Sequence, residues 1–204
     1  MLYIYGDHHG QLFSSINVNK LISVCYENLS IHDIVSYNRL PHIHKWNMKK
    51  DDILICSLGE QDCRHHIQKK CPNQEDLDNY ITSLSNAYIS TLANNFSYCK
   101  TIIVLGIIPP TRKSDLLQDT FGYCQFDFQT DDEERIKNTN KLNDSIKQAC
   151  ATYTNIEYVY PYQCCQQPDG SIKYSLTNKR GRIAINVSQP VINIVSQCVQ
   201  KVYS

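Results

Sequence analysis

Residues 1–10 read MLYIYGDHHG, in which a short apolar run leads directly into a polar segment flanked by glycines. The apolar run at residues 2–5 is typical of a buried strand, and the glycines on either side of Asp7, His8 and His9 favour a loop. A strand that ends in this way delivers polar side chains to the edge of a sheet. The opening of the chain therefore predicts both a type of fold and the position of a candidate site.

Short apolar runs alternate with longer segments of helical periodicity along the rest of the chain. The predicted strands are residues 2–5, 21–25, 53–57, 102–105 and 156–160, and the predicted helices are residues 74–96, residues 131–153 and a last helix from about Ser188. This order predicts a single domain over residues 1–204, with a three-layer α/β/α fold and a central parallel sheet of about five strands, as in flavodoxin-like proteins. The runs at 21–25, 53–57 and 102–105 are nearly continuous in apolar residues, so we expect those strands to be covered on both faces.

The composition of the chain argues against nucleic-acid-binding and membrane-spanning proteins and indicates the state of the cysteines. The formal net charge is zero, and the absence of a basic stripe predicts that nucleic acid is not a partner. No apolar run is long enough for a membrane span, so no membrane partner is predicted. The ten cysteines are irregularly spaced without a Cys-x-x-Cys pair. Together with an opening strand in place of a signal peptide, they predict free thiols in a cytoplasmic protein rather than disulfides or structural zinc.

Titratable side chains are concentrated after two of the predicted strands. Asp7, His8 and His9 follow the first strand, and residues 59–66, GEQDCRHH, follow the third. Ligands of parallel α/β sheets bind beyond the carboxyl ends of the strands. Such a concentration favours an enzyme over a purely structural domain.

These segments resemble the SGNH/GDSL hydrolase superfamily, and within it a carbohydrate-associated branch with Gly-Asp-Ser-His near the start and Gly-Glu-x-Asp-Cys-Arg-x-His-Ile after the third strand. Here residues 6–9 read GDHH and residues 59–67 read GEQDCRHHI. The prolines at 109–110 and the segment 135–143 also fit, so the resemblance runs through the chain in order. It implies an esterase or acyltransferase with a serine in the first block, an Asp-x-x-His pair near the C terminus and oxyanion donors in the second block.

The sequence departs from this pattern at two places. His8 stands where the family has its serine, and residues 174–186, YSLTNKRGRIAIN, contain neither aspartate nor histidine. No histidine follows His66 anywhere in the chain. A serine mechanism needs a nucleophile and a base in contact, and the family positions do not supply them. Arg182 lies in the late segment, where a guanidinium is suited to hold a carboxylate or a phosphate.

A second resemblance rests on residues 6–11 alone, which are similar to the Gly-Asp-x-His-Gly motif of metal-dependent phosphoesterases. The other motifs of that class are absent. Asp7, His9, Asp62 and His66 are of the types that bind zinc or manganese, but the SGNH resemblance implies no metal. No metal site is predicted.

The candidate catalytic residues are His8, His9 and Asp7. Histidine titrates near neutral pH, so His8 is interpreted either as a general base or as a loop residue that replaced a lost nucleophile. Asp7 is expected to cap the following segment through backbone amides, and His9 is interpreted either as a residue that faces the ligand or as one that supports a ligand-facing neighbour. The candidate substrate- or donor-binding residues are Gly59, Glu60, Gln61, Asp62, Arg64, His66 and Arg182. Within that set, Asp62 is expected to pair with Arg64, and Gln61 is a possible donor to an oxygen in the cleft.

Three functions are consistent with these residues. The preferred hypothesis is transfer of a methyl or acyl group onto a sugar hydroxyl in glycan biosynthesis, with a histidine base and S-adenosylmethionine or acyl-CoA as donor. The second is an esterase or deacetylase that acts on acylated sugars. The third is an inactive domain that binds a glycan or nucleotide sugar. Under any of the three, the chain is a candidate domain of a larger glycan-processing protein.

Overall fold

A computed structural model describes residues 1–27, 29–38, 40, 46–71, 74–112, 131–176 and 189–203. Its centre is a parallel sheet of five strands in the order β2-β1-β3-β4-β5. The strands are β1 (Leu2–Asp7), β2 (Leu21–Tyr26), β3 (Ile53–Ser57), β4 (Thr101–Leu105) and β5 (Ile156–Val159). All five predicted strands are confirmed, because each apolar run forms a strand of this sheet.

Helical segments connect these strands. The α-helices are α1 (Ile31–Tyr37), α2 (Ile67–Lys70), α3 (Gln74–Phe96), α4 (Asp132–Cys150) and α5 (Gln189–Tyr203). A 3₁₀ helix covers His8–Ser15, and a π-helical turn covers Asp62–His66. Helix α3 has its predicted bounds, whereas α4 ends at Cys150, three residues before the predicted end.

The sheet is covered on both faces, which confirms the three-layer α/β/α prediction. One hydrophobic cluster joins alternate strand residues such as Tyr5 and Leu54 to apolar residues of α1, α3 and α4. The other cluster joins the opposite face, with Ile4 and Ile55, to Phe13 of the 3₁₀ helix and to α5. Successive side chains of a strand point to opposite faces, so continuous apolar runs such as β3 fill both clusters.

Strand β2 does not fit its prediction. The run at 21–25 predicts a strand that is covered on both faces, but β2 forms one edge of the sheet and most of its residues are only half-buried. Strand β1 is instead buried throughout, because it pairs with β2 on one side and β3 on the other. An apolar run identifies a strand, but it does not reveal how many neighbours that strand has.

The nine described cysteines, all but Cys124, are free thiols. None of the described helices combines the length and the apolar composition that a membrane crossing requires.

Candidate functional site

The first part of the candidate site is the β1 loop, defined here as residues 7–9. Asp7 ends β1, and its carboxylate Oδ1 accepts a hydrogen bond from the backbone N–H of His9 at 2.9 Å. Asp7 thereby caps the 3₁₀ helix that begins at His8. The predicted capping role of Asp7 is confirmed, and this bond fixes the position at which the two histidines leave the sheet.

The two histidines of the β1 loop are in contact with each other. The imidazole ring centres of His8 and His9 are 3.9 Å apart, with their planes inclined by 42°. Both residues are half-buried, whereas the preceding residues of β1 are fully buried. The loop therefore presents two adjacent imidazoles at the carboxyl edge of the sheet.

Asp7 itself lies beneath this surface, with an exposed fraction of only 2%. Burial raises the pKa of Asp7 well above its usual value, and the nearby Glu60 carboxylate acts in the same direction, while the His9 amide opposes the rise. A carboxyl group in this environment retains its proton over a wider range of pH than an exposed one. Asp7 shapes the loop through the hydrogen bond that it accepts from the His9 amide.

The second part is the β3 block, defined here as residues 59–66. It begins at Gly59, whose φ of +118° lies in a region that side-chain-bearing residues rarely adopt. A Cβ atom at this position would lie 2.6 Å from Ile107 Cδ1. Glycine is therefore required by the backbone and by the packing of the segment after β4.

Asp62 is fully buried and connects the β3 block to α1. Its Oδ2 accepts the N–H of Ile31 at 2.7 Å, and its Oδ1 accepts the N–H of His32 at 3.0 Å. These are two of the amides that the first turn of a helix leaves without intrahelical partners. Burial raises the pKa of Asp62 to about 7, while both hydrogen bonds oppose the rise.

The expected pairing of Asp62 with Arg64 is wrong. Arg64 Nη2 instead lies 3.2 Å from Glu60 Oε2, four residues earlier on the same helical turn. The carboxylate of Asp62 instead accepts hydrogen bonds from the backbone of α1. The short spacing between Asp62 and Arg64 in the sequence does not reveal these more distant partners. Burial raises the pKa of Glu60, and the guanidinium groups of Arg64 and Arg135 oppose that rise.

The remaining polar side chains of the β3 block also have protein neighbours. Gln61 is nearly buried, and its Nε2 lies 3.4 Å from the carbonyl oxygen of Glu27. The His66 ring lies over that of His32, with centres 5.5 Å apart and planes inclined by 26°. Burial lowers the pKa of His66, and the carboxylate of Asp33 opposes the change. Most of the block thus contacts α1 and the segment after β2.

The segment that follows β4 is fixed by a hydrogen bond to Asn143 of α4. Asn143 Oδ1 accepts the N–H of Ile107 at 2.7 Å and the hydroxyl of Tyr158 at 3.1 Å. The amide thus ties the segment after β4 to α4 and β5, and it places Ile107 against Gly59. Asn143 fits the family resemblance, whereas no pattern in the sequence identifies Tyr158 as its partner.

The structure brings the β1 loop and the β3 block to the same edge of the sheet, because Gly6 and Ser57 are paired in the parallel register of β1 and β3. Arg182 and most of residues 174–186 lie outside the described residues. The described part of the candidate site therefore consists of the β1 loop and the β3 block.

Two buried tyrosines near Asp7 are absent from the predicted set. Asp7 contributes to raising the pKa values of both Tyr88 and Tyr162, after the larger effect of burial. Tyr88 lies on α3 and Tyr162 follows β5, so neither is near Asp7 in sequence. In the sequence, both tyrosines have apolar neighbours and are interpreted as core residues. Their position near the β1 loop becomes visible only in the folded chain.

A separate open groove of about 1010 Å³ lies along the first half of α4. Its described lining is mostly charged and includes Arg112, Asp132, Lys137 and Asp169. Neither the β1 loop nor the β3 block contributes to that described lining, and none of the lining residues is aromatic. The groove is therefore distinct from the edge that carries the histidines.

No protein-family model matches the sequence, and no curated protein does either. The fold, in contrast, is similar to solved structures over almost the whole chain. A GDSL-like lipase from Bacteroides thetaiotaomicron superposes with a TM-score of 0.64 at 12% identity, covering 98% of this chain and 87% of the lipase chain. A catalytic mutant of an acetylxylan esterase from Geobacillus stearothermophilus, in which a serine is replaced by alanine, superposes with a TM-score of 0.57 at 13% identity, covering 96% and 92%.

The OSK domain of Drosophila Oskar is also similar, with a TM-score of 0.60 at 10% identity and coverage of 97% of this chain and 87% of that domain. The lipase and esterase structures confirm the resemblance at the level of the fold: this chain has the SGNH/GDSL hydrolase fold. At these identities the likeness concerns architecture, and the chemistry has to be argued from the residues of the site.

Proposed function

We propose that this protein moves acyl groups of acylated carbohydrates, with His8 as the base that activates the accepting hydroxyl. The observation that carries the proposal is the pair of half-buried imidazoles, with ring centres 3.9 Å apart, at the end of β1. His8 occupies the place in the first block where the family has a serine. The residue that replaces the serine is thus itself able to accept a proton.

An imidazole base changes the order of the chemical steps. A serine enzyme forms an ester with the acyl group before water enters, whereas a base can activate the attacking water or sugar hydroxyl directly. The oxygen would attack the ester carbonyl as its proton passes to His8, and the sugar alkoxide would then leave with that proton. Hydrolysis and acyl transfer differ in this scheme only in which hydroxyl attacks.

Several features support an acyl ester of a sugar as the substrate class. One structural neighbour is an acetylxylan esterase, and two others bear the names of a GDSL-like lipase and an acylhydrolase. The order of blocks along the chain resembles a carbohydrate-associated branch of the same superfamily. Nothing among the described residues favours a methyl donor, so methyl transfer is the weaker form of the group-transfer hypothesis.

The roles of the other candidate residues follow from their contacts. Asp7 would position the β1 loop through the His9 amide, and His9 would orient the ring of His8 or face the substrate. Gly59, Glu60, Gln61, Asp62, Arg64 and His66 would form the wall of the site mainly through contacts within the protein. Arg182 stays a predicted ligand-binding residue.

The test is acetate release from acetylated xylooligosaccharides by the purified chain. We expect turnover in the wild type, loss of it in His8→Ala, and retention of it in His32→Ala, a matched histidine variant on α1. Adding an unacetylated sugar as acceptor separates the two reactions, because transfer yields a new sugar ester at the expense of free acetate. Binding of the substrate without turnover in the wild type would contradict the proposal and support a non-catalytic binding domain.

A further inference from the structure

Two adjacent cysteines outside the candidate site have an unusual arrangement. Cys164 and Cys165 lie in the short 3₁₀ helix Gln163–Cys165 that follows β5, and their Sγ atoms are 3.7 Å apart. Successive side chains of an extended chain point in opposite directions, so two neighbouring thiols rarely face each other. The turn of this helix brings both sulfur atoms to one side.

The two thiols differ in their access to solvent. Cys164 is exposed, whereas Cys165 has an exposed fraction of only 1% and belongs to the hydrophobic cluster on the α5 face. Burial raises the pKa of Cys165 to about 12, and its neighbour Cys164 acts in the same direction. Reagents in solution therefore meet the sulfur of Cys164 first, with the sulfur of Cys165 directly behind it.

The backbone around the pair is tied to a single lysine. The carbonyl oxygen of Cys164 accepts a hydrogen bond from Lys173 Nζ at 3.0 Å, and that of Cys165 accepts one from the Lys173 backbone N–H at 2.9 Å. An isolated bridge between Gln166 and Ile172 closes the same turn. The peptide that joins the cysteines is therefore connected to the segment that leads towards residues 174–186.

We propose that Cys164 and Cys165 form a redox modification site, which closes to a vicinal disulfide when the protein meets a peroxide. The Cys164 thiol gives up its proton, and the thiolate attacks one oxygen of hydrogen peroxide. An S–O bond forms, the O–O bond breaks, and the leaving hydroxide takes up the released proton to become water. The sulfur of Cys165 then attacks the Cys164 sulfur, forming the S–S bond and breaking the S–O bond. The departing hydroxide takes the Cys165 proton, so two thiols and one peroxide give one disulfide and two waters.

This disulfide would be reversible rather than structural. Neighbouring Cα atoms across a trans peptide are about 3.8 Å apart, which is less than the separation of about 4.4–6.8 Å in ordinary disulfides. A strained disulfide has a more oxidising potential and is readily reduced by small thiols. Closing the ring also changes the orientation of the two carbonyl groups that hold Lys173.

Peptide mass analysis tests the proposal without any substrate, so its outcome is independent of the proposed acyl chemistry. The full chain is treated with hydrogen peroxide, the remaining thiols are alkylated, and the chain is digested with chymotrypsin. Cleavage after Tyr162 and Tyr174 releases residues 163–174, QCCQQPDGSIKY, which contain this pair and no other cysteine. We expect this fragment to lose two hydrogens and resist alkylation, and dithiothreitol to reverse both changes.

Single variants make the test specific to the pair. Cys164→Ser and Cys165→Ser should each abolish the change in mass, while Cys198→Ser, a half-buried cysteine of α5, should leave it intact. Alkylation of both cysteines after peroxide treatment would overturn the proposal. So would sulfinic or sulfonic acid at Cys164 beside an alkylated Cys165, or a disulfide from either cysteine to a third one.

Discussion

The β1 loop and the β3 block lie at the same edge of the sheet, and each has a buried aspartate that binds backbone amides, but the β3 block makes more contacts with distant segments of the chain. In the β3 block, Asp62 binds amides of α1, and Glu60 and Arg64 contact each other. In the β1 loop, His8 and His9 leave the sheet half-buried and contact each other. The block with the longer match to the resembled pattern is thus largely engaged in internal contacts, and His8, which stands in place of the serine of that pattern, is half-buried in the β1 loop.

This difference teaches that a long motif match need not mark the reacting groups. A buried carboxylate with two backbone donors maintains a scaffold. Under the proposed function, the chemistry depends on a few side chains that this scaffold presents. The comparison predicts that substitutions in the β1 loop affect turnover and substitutions in the β3 block affect stability.

The largest expected effect is that of His8→Ala on turnover. A positioned general base typically contributes about 100-fold to 10,000-fold in rate, so we expect acetate release to fall by at least about 100-fold. The melting temperature should stay near that of the wild type because His8 is half-buried on a loop. Steady-state kinetics and thermal unfolding of the same preparation measure both. Equal turnover in the two proteins would show that His8 is a surface residue.

Asp62→Ala is expected to give the largest loss of stability. It leaves the N–H groups of Ile31 and His32 without their acceptor, at a cost of about 1–3 kcal/mol for each buried unsatisfied donor. Asp62→Asn, which keeps one acceptor oxygen, should cost about half as much. Urea unfolding measures the two free energies, and equal stability of Asp62→Ala and the wild type would refute the capping role.

Gly59→Ala should destabilise the chain by about 1–3 kcal/mol, because the residue is held at positive φ and the new methyl group meets Ile107. Ile107→Ala removes both the Cδ1 and the Cγ1 atoms that the methyl group would meet. A smaller cost of Gly59→Ala in the Ile107→Ala background than in the wild type would separate this contact from the backbone strain. If Gly59→Ala were as stable as the wild type, position 59 would not require glycine.

The free energy of unfolding should decrease as the pH rises from about 4 to about 7. The pKa of Asp62 is raised from 3.8 to about 7 in the folded chain, so in this range the folded state holds a proton that the unfolded state has released. The raised pKa values of Asp7 and Glu60 act in the same direction. Asp62→Asn should flatten the profile. A stability that rises with pH over this range, unchanged by Asp62→Asn, would contradict the assignment.

The smallest effect is expected for Glu60→Gln. Glu60 Oε2 lies 3.2 Å from Arg64 Nη2, and the glutamine amide keeps an oxygen beside that guanidinium while it removes a carboxylate that burial disfavours. Turnover should also be retained if Glu60 acts within the wall of the site. If Glu60→Gln lost as much turnover as His8→Ala, Glu60 would have to take part in the reaction.

The sheet could be predicted from the sequence because its signals are local. Each strand is a short apolar run between loops, and the face of α3 that carries Leu77, Ile81 and Leu84 repeats with the period of a helix and is buried. The single domain over residues 1–204 stays a prediction. The partners of the β3 block could not be predicted, since Asp62 binds amides about thirty residues earlier in α1. The edge position of β2 depends on strand order, which no single apolar run encodes.

The candidate site was predictable to a similar extent. The capping role of Asp7 follows from its position between a strand and a glycine-flanked loop, and it is confirmed. The proximity of Asp7 to Tyr88 and Tyr162 depends on three elements that meet only in the folded chain. The location of the site, which the resemblance implies, stays a prediction, whereas the contacts of the β3 block required the structure.

The most direct test is a side-by-side measurement of His8→Ala and Asp62→Asn for both kcat/KM towards an acetylated sugar and the free energy of unfolding, at a temperature where both variants are folded. We predict that His8→Ala loses turnover and keeps its stability, and that Asp62→Asn loses stability and keeps most of its turnover. Turnover that survives His8→Ala and disappears in Asp62→Asn would reverse the two roles and contradict the assignment of His8 as the base.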